Sequence, residues 1–395
     1  MNIKKKFDNI NCIICGSKKY SSFFHVNNVP VHPYIKSKDQ NFSGNLEIIK
    51  CSNCGHLFNN LFDENILNQL YSSNIITNTP VSEGMINSVL SLRDWLLNNS
   101  MSKVRNVLEI GGGSGALAIS FNDFVDNYLM IEPSVSEENK KKINQFSNLK
   151  VSTSKFPNFD IESDYDLIIC RQVLEHIPNP LIFLRSIYEI TSKHTQVYIE
   201  IPSANYIVSN KSVIDFHYPH VHYYFEENIK ILFAKFNFEV IDIQHLKNGH
   251  DFGFLLKKNY EIKNNLSILP YPQAYDNWIV KSAEINKKAK VALYGANAYS
   301  QSFLGMFASK LNIINVFDDT QFYQGNFCYH SNQYYPIEIP SSDNINNVDN
   351  IIITAYLHDE TIQERILNLN FKGIIYTVRS EPERKNSVMK NFFYT

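Results

Sequence analysis

Two cysteine pairs, one glycine-rich turn and one histidine–tyrosine run carry the side chains that could do chemistry in this 395-residue chain. Cys12 and Cys15 form a first Cys-x-x-Cys pair, and Cys51 and Cys54 form a second. Gly16 and Gly55 each follow the second cysteine of a pair. A small residue there suits a tight knuckle that turns backbone N–H groups toward thiolate sulfur. Four thiolates match tetrahedral zinc with no open position, which is a structural rather than a catalytic site. A redox role would need only one pair, and four unrelated core cysteines is the bland alternative. Cys170 and Cys328 stand alone. Paired motifs of this kind in a reducing compartment read as metal rather than disulfide. His25, His32 and His56 lie near the pairs, but four sulfurs already fill the shell.

The glycine turn is Val107-Leu108-Glu109-Ile110-Gly111-Gly112-Gly113-Ser114-Gly115. An apolar strand enters it and an apolar helix pattern leaves it. Glycine lets a ligand lie against the backbone. A dinucleotide fold wants G-x-G-x-x-G, but here an acid precedes Gly111, Gly112 and Gly113. That arrangement suits S-adenosylmethionine, which has no pyrophosphate to seat on a helix N-terminus. Glu132 ends the next strand, where a carboxylate can take both ribose hydroxyls. A helix N-terminal acid is the plain alternative for it. Asp166 opens a later apolar strand, and Arg171-Gln172 sit at its carboxyl end, where ligands of open parallel sheets lie.

The third group runs His217-Tyr218-Pro219-His220-Val221-His222-Tyr223-Tyr224-Phe225. Histidine can take a proton near neutral pH, so His220 and His222 are candidate bases, with Tyr223 beside them. A packed aromatic cluster with surface histidines is the alternative. His176, just after the fourth strand, is a further candidate, with a capping or core histidine as its counterpart. Glu200 could touch substrate or be a surface or capping acid. Tyr71 could reach the pocket from the linker.

Strands must hold these groups. Asn106–Ile110, Asn127–Ile131, 149–151, 165–170 and 196–201 read as apolar strands, with helices such as 181–191 and 226–236 between or after them. Such alternation predicts a parallel sheet covered on both faces. Phe238 to Ile241 continues it, and 252–256 reads as a last, antiparallel strand. Before the sheet, 63–71 and 83–98 read as helices. A polar segment around 257–272 separates a third part. There 277–288 reads as a helix, Lys290 to Ala296 as a second strand entering a glycine turn, and 313–317 and 350–354 as further strands.

The expectation is an α/β fold. A doubly wound parallel sheet is flanked by a small N-terminal zinc module and a C-terminal Rossmann-like domain. The boundaries are 1–70 for the zinc module, 71–260 for the cofactor-binding domain with a helical lead-in, and 261–395 for the last, substrate-holding part. Apolar residues are 44% of the chain, enough for such cores, and aromatic residues 13%. A net charge of −2 recruits neither nucleic acid nor membrane, and the basic run Lys4 to Lys6 is short. No stretch approaches the roughly 18 apolar residues of a membrane span, and no signal-peptide core precedes the first module. A cytoplasmic protein, monomeric or homodimeric, is expected.

From Val107 to His176 the chain resembles class I S-adenosylmethionine-dependent methyltransferases, with Glu175-His176 after an apolar strand. The cysteine module before it extends the likeness. So do Tyr294-Gly295-Ala296, Phe317-Asp318-Asp319, Gln324-Gly325, Ile339-Pro340 and Asp359-Glu360-Thr361-Ile362 after it. The whole resembles the three-part sugar C-methyltransferases, which methylate a carbon next to the ketone of a nucleotide-linked deoxysugar. The resemblance implies cofactor contacts at Glu109, Gly111, Gly113, Glu132 and Gln172, with adenine near Ser154 and Lys155, and backbone-shape roles for Gly295 and Gly325. It also implies a Glu-His pair before Tyr224-Phe225. His220 and Val221 stand at those two places, and His222 comes one residue late. Carbon methylation of a sugar is therefore the family expectation. Methylation of a hydroxyl or an amine, on a sugar or another metabolite, stays open, as does a noncatalytic binding role on the same scaffold.

Overall fold

The computed structural model describes residues 11–40, 42–72, 80, 83–157, 164–259, 280–379 and 388–394. The chain begins with three antiparallel strands, β1 (Tyr20–Pro30), β2 (Ser43–Cys51) and β3 (Leu57–Asn59). Two helices follow, α1 (Glu64–Ser72) and α2 (Glu83–Asn99).

The sheet that positions the site comes next. In chain order its elements are β4 (Asn106–Ile110), α3 (Ala116–Ser120), β5 (Asn127–Ile131), α4 (Glu137–Ile143) and β6 (Leu149–Ser152). They continue with β7 (Leu167–Arg171), α5 (Pro180–Ile190), β8 (Gln196–Pro202) and α6 (Ala204–Ser209). Last come β9 (His222–Tyr223), α7 (Glu226–Lys235), β10 (Phe238–Leu246) and β11 (Asp251–Lys258). Seven strands lie in the order β10-β11-β8-β7-β4-β5-β6. β4 through β8 pair in parallel, and β11 inserts antiparallel between β8 and β10. β4 has β5 on one side and β7 on the other, so the chain reverses its winding at the carboxyl end of β4. A ligand crevice belongs at that reversal.

Local sequence explains the joints. β7 and β8 are apolar almost throughout because helices cover both faces of a parallel sheet. The side chain of Ser136 caps α4, Asn179 caps α5 with Pro180 in its first turn, and Ser203 caps α6. Each supplies an acceptor to an amide that the helix start leaves unpaired.

The C-terminal part is a second α/β sheet. It comprises β12 (Lys281–Ser282), β13 (Lys290–Tyr294), α8 (Ala298–Phe307), β14 (Asn312–Phe317), β15 (Phe327–His330), β16 (Gln333–Glu338), β17 (Asn350–Ile353), α9 (Asp359–Asn368), β18 (Ile374–Thr377), β19 (Lys390–Asn391) and β20 (Phe393–Tyr394). Its main sheet runs β15-β16-β14-β13-β17-β18-β19, parallel except for the β15–β16 hairpin, and β12 pairs with β20 apart from it.

One expectation changes. The helix predicted over 277–288 is not present across its described residues. There 280–288 holds only the short strand β12 and irregular backbone, and 277–279 lie outside the described residues. The cysteine module is not self-contained. β9, from the histidine run, pairs antiparallel with β3 and becomes the fourth strand of its sheet. Cys12, Ile14, Cys51 and Cys54 lie in the same buried apolar cluster as Ile168, Leu232 and Phe233 of the central domain.

Candidate active site

Cys12 Sγ lies 3.5 Å from Cys54 Sγ, and Cys15 Sγ lies 3.5 Å from Cys51 Sγ. All four sulfurs fall within 4.8 Å of one another. A disulfide would need about 2 Å, whereas a tetrahedron of about 2.3 Å zinc–sulfur bonds has edges of about 3.8 Å. Two matching turns build the group. Gly16 N–H donates to the Cys12 carbonyl at 2.8 Å, and Gly55 N–H donates to the Cys51 carbonyl at 2.9 Å. Both glycines have φ near +75°, at 74° and 75°, where a side chain would be strained. The four thiols fit a structural zinc ion.

The glycine turn follows β4. Gly111, Gly113 and Gly115 all have positive φ, at 77°, 57° and 77°. A Cβ on Gly111 would meet Val173 Cγ2 at 2.3 Å, and one on Gly115 would meet Ile143 Cδ1 at 2.3 Å. The turn therefore packs against the segment after β7 on one side and against α4 on the other. Glu132, at the end of β5, accepts from Gly113 N–H at 2.9 Å through Oε2. Its Oε1 accepts from the Ser134 N–H and hydroxyl at 2.9 and 2.6 Å. Glu109 lies under the turn, where Tyr128 O–H donates to its Oε2 at 2.9 Å. Burial lifts its carboxyl to about 7, against the opposing pull of Tyr128 and Arg171.

Gln172 follows β7 with φ 52°, an unusual backbone for a residue with a side chain. Its amide donates to Glu200 Oε1 at 3.3 Å, beside an Arg171 Nε–H donating to Glu200 Oε2 at 2.9 Å. Glu200 is thus held by Arg171 and Gln172. Lys155 Nζ donates to Asn68 Oδ1 of α1 at 3.1 Å. The side chain of Tyr71 lies outside the described residues.

The histidine run folds onto the segment after β7. Val221 N–H donates to the Glu175 carbonyl at 2.7 Å, and His176 Nδ1 lies 2.9 Å from the Pro219 carbonyl. The rings of His176 and His220 meet edge to face with centroids 4.8 Å apart. His217 meets His220 the same way at 5.1 Å, and Tyr223 lies 5.9 Å from His220. His176, His217, His220 and Tyr223 therefore gather together. His222 does not join them. It faces the cysteine module, with Nδ1 3.1 Å from His56 Nε2 and its ring against Phe58 and Tyr224.

Burial pushes the imidazoles down. His176, His217 and His222 fall to about 4, each partly opposed by a nearby acceptor or acid, and His220 falls well below the usual range. They are neutral near pH 7, and burial makes each a weaker base than a free imidazole. Burial raises the Tyr223 phenol, so it stays protonated.

Two residues of this group were not singled out in the sequence. His217 Nδ1 lies 2.8 Å from Ser302 Oγ on α8, and the Ser302 hydroxyl donates to the Phe216 carbonyl at 2.9 Å. That order of donors leaves the hydrogen on His217 Nδ1 and the lone pair on Nε2. Glu175 is 1% exposed, and neither of its carboxylate oxygens has a hydrogen-bond partner. The Glu175-His176 dipeptide carried a signal for Glu175. Nothing near Ser302 marked it, because its partner is 85 residues away.

Residues 86–243 match the family model described as a methyltransferase domain. That span runs from within α2 to within β10 and contains the glycine turn, Glu132 and the histidine run. No curated protein matches the chain. Among solved structures, a 1,6-didemethyltoxoflavin-N1-methyltransferase of Burkholderia thailandensis, with S-adenosylhomocysteine bound, is 15% identical. It covers 44% of this chain and 78% of its own, with a TM-score of 0.36. An S-adenosylmethionine-dependent methyltransferase of Clostridium acetobutylicum is 14% identical, covering 50% and 99%, with a TM-score of 0.37. A magnesium protoporphyrin IX methyltransferase of Synechocystis is 13% identical, covering 45% and 80%, with a TM-score of 0.35. Likeness of this degree fixes neither acceptor nor chemistry.

Proposed function

We propose that the protein moves a methyl group from S-adenosylmethionine to a sugar-like small molecule, nucleotide-linked as in the family it resembles. One observation carries this reading. The backbone of Gly111 packs on Val173, three residues before His176, so the cofactor turn and the histidine group share the carboxyl ends of the neighbouring strands β4 and β7.

When bound, the cofactor supplies a methyl carbon made electrophilic by its sulfonium. Gly111 and Gly113 give it an open backbone to lie on. Glu132, fixed by Gly113 and Ser134, offers its carboxylate oxygens to the ribose hydroxyls. Gln172 closes the rim beside it.

The acceptor must lose a proton, from a hydroxyl or from a carbon beside a ketone. His217 Nε2 takes that proton, with Nδ1–H anchored on Ser302. Tyr223 keeps the segment in shape: its hydroxyl lies 3.1 Å from His217 N and 3.2 Å from the His217 carbonyl. Positioning the acceptor in line with the methyl lowers the barrier by several kcal/mol, up to roughly 7–11 in the best cases.

The test is incubation of the zinc-loaded chain with methyl-13C cofactor and a panel of nucleotide-linked keto- and hydroxy-sugars. A labelled sugar is expected, and carbon–proton correlation spectra read whether carbon or oxygen carries the methyl. Labelling of amine metabolites alone would overturn the sugar assignment.

A further inference from the structure

We propose that Glu175, His176 and His220 form a second metal site, separate from the cysteine group, for a divalent first-row transition ion such as Zn²⁺, Mn²⁺ or Co²⁺. One ligand atom from each of the three falls within 4.8 Å of the others. His176 Nε2 lies 3.9 Å from Glu175 Oε1. Two ligands of a tetrahedral ion, at bonds of about 2.1 Å, are about 3.4 Å apart, so small rotations close the remaining gap.

Three features point to an ion rather than to chance packing. Glu175 is buried with both carboxylate oxygens unpartnered, a costly arrangement unless something cationic or a donor meets them. His176 holds its Nδ1 on the Pro219 carbonyl, which fixes the hydrogen there and leaves the Nε2 lone pair facing Glu175. Ligating histidines are oriented in that way by a second hydrogen bond. His220 Nδ1 is buried and also has no hydrogen-bond partner.

Two imidazoles and one carboxylate make a three-ligand set with open positions, unlike the closed four-sulfur group. His176 and His220 are only half-buried, so the set is not sealed from solvent. Resting on the methyl-transfer reading, the ion's task is to hold the acceptor's carbonyl or hydroxyl oxygen and draw charge from it while His217 takes the proton.

The experiment loads the full-length, metal-stripped chain with Co²⁺ and counts bound metal by mass spectrometry while recording the visible spectrum. The wild type should saturate at two ions per chain, one with strong thiolate-to-cobalt bands and one with weak nitrogen–oxygen bands. Glu175→Gln and His220→Ala should each fall to one ion, keeping the thiolate bands and S-adenosylhomocysteine affinity. Saturation of the wild type at one ion with thiolate bands alone overturns the site, whatever the variants do, and leaves methyl transfer standing. Two ions without any S-adenosylhomocysteine binding would sink the methyl-transfer reading and leave the metal site standing.

Discussion

His56 Nε2 lies 3.1 Å from His222 Nδ1, which joins the cysteine module to the strand that leaves the histidine run. His56 follows Cys54 by two residues, and His222 follows His220 by two. Together with the β3–β9 pairing, this contact makes the cysteine group a clamp on the candidate active site. Folding of the module and alignment of the histidines are then one event. Chelating the zinc should remove hydrogen-exchange protection from 44–59 and 217–224 together, and turnover should fall with it. Retained protection at 217–224 in metal-free protein would contradict the clamp.

The two outer histidines should behave differently. His220→Ala should abolish turnover while S-adenosylhomocysteine binds with unchanged affinity, because the proposed acceptor side includes His220. His222→Ala should lower turnover through misplacement and should also loosen zinc, measured as faster release to a chelator. If both variants keep full activity, the histidine run is not the acceptor side at all.

Glu132→Ala removes a carboxylate that accepts three hydrogen bonds at the cofactor turn. Hydrogen bonds to a charged group are worth about 1.5–3 kcal/mol each, so the dissociation constant for S-adenosylhomocysteine should rise roughly tenfold to a hundredfold. Calorimetric titration reads it, and an unchanged constant removes Glu132 from the ribose.

Gly115→Ala places a side chain at φ 77°, with Cβ 2.3 Å from Ile143 Cδ1. The left-handed backbone costs about 1–2 kcal/mol for a non-glycine residue. Denaturant unfolding should show a loss of about 1–3 kcal/mol.

Stability should fall on the alkaline side through His250. It lies between Asp215 and Asp251, with Nε2 3.0 Å from one and Nδ1 2.7 Å from the other. Burial alone would push the imidazole down, but the two carboxylates outweigh it and lift it to about 9. The folded state therefore holds this proton more tightly than the unfolded chain, whose ordinary value is near 6.5. The gain is fully present below about 6.5 and is lost as pH rises through about 9. Tyr356 O–H from the C-terminal sheet donates to Asp215 at 2.8 Å, so the loss weakens the seam between the two sheets. The denaturation midpoint should drop between pH 7 and 9.5 in the wild type and stay flat over that range in His250→Gln.

The central sheet was legible because buried parallel strands are runs of apolar residues, as in Leu167–Cys170, and the turn after β4 is marked by glycine. The cysteine knuckles were legible from spacing alone. β9 was not, because a two-residue strand gains its identity from β3, some 160 residues earlier, and not from its own pattern. The same holds for the split of the histidines. His220 lies in the turn before β9 and His222 in β9 itself, so two histidines that sequence spacing presents as one cluster meet different partners. Glu109 adds a partner that spacing did not reveal: Tyr128, 19 residues on, donates to its carboxylate beneath the turn.

The most direct measurement is a calorimetric titration of the folded, zinc-loaded chain with S-adenosylhomocysteine. The account predicts saturable binding at one site per chain, weakened by Glu132→Ala and untouched by His220→Ala. No heat and no saturation in a folded chain would contradict it.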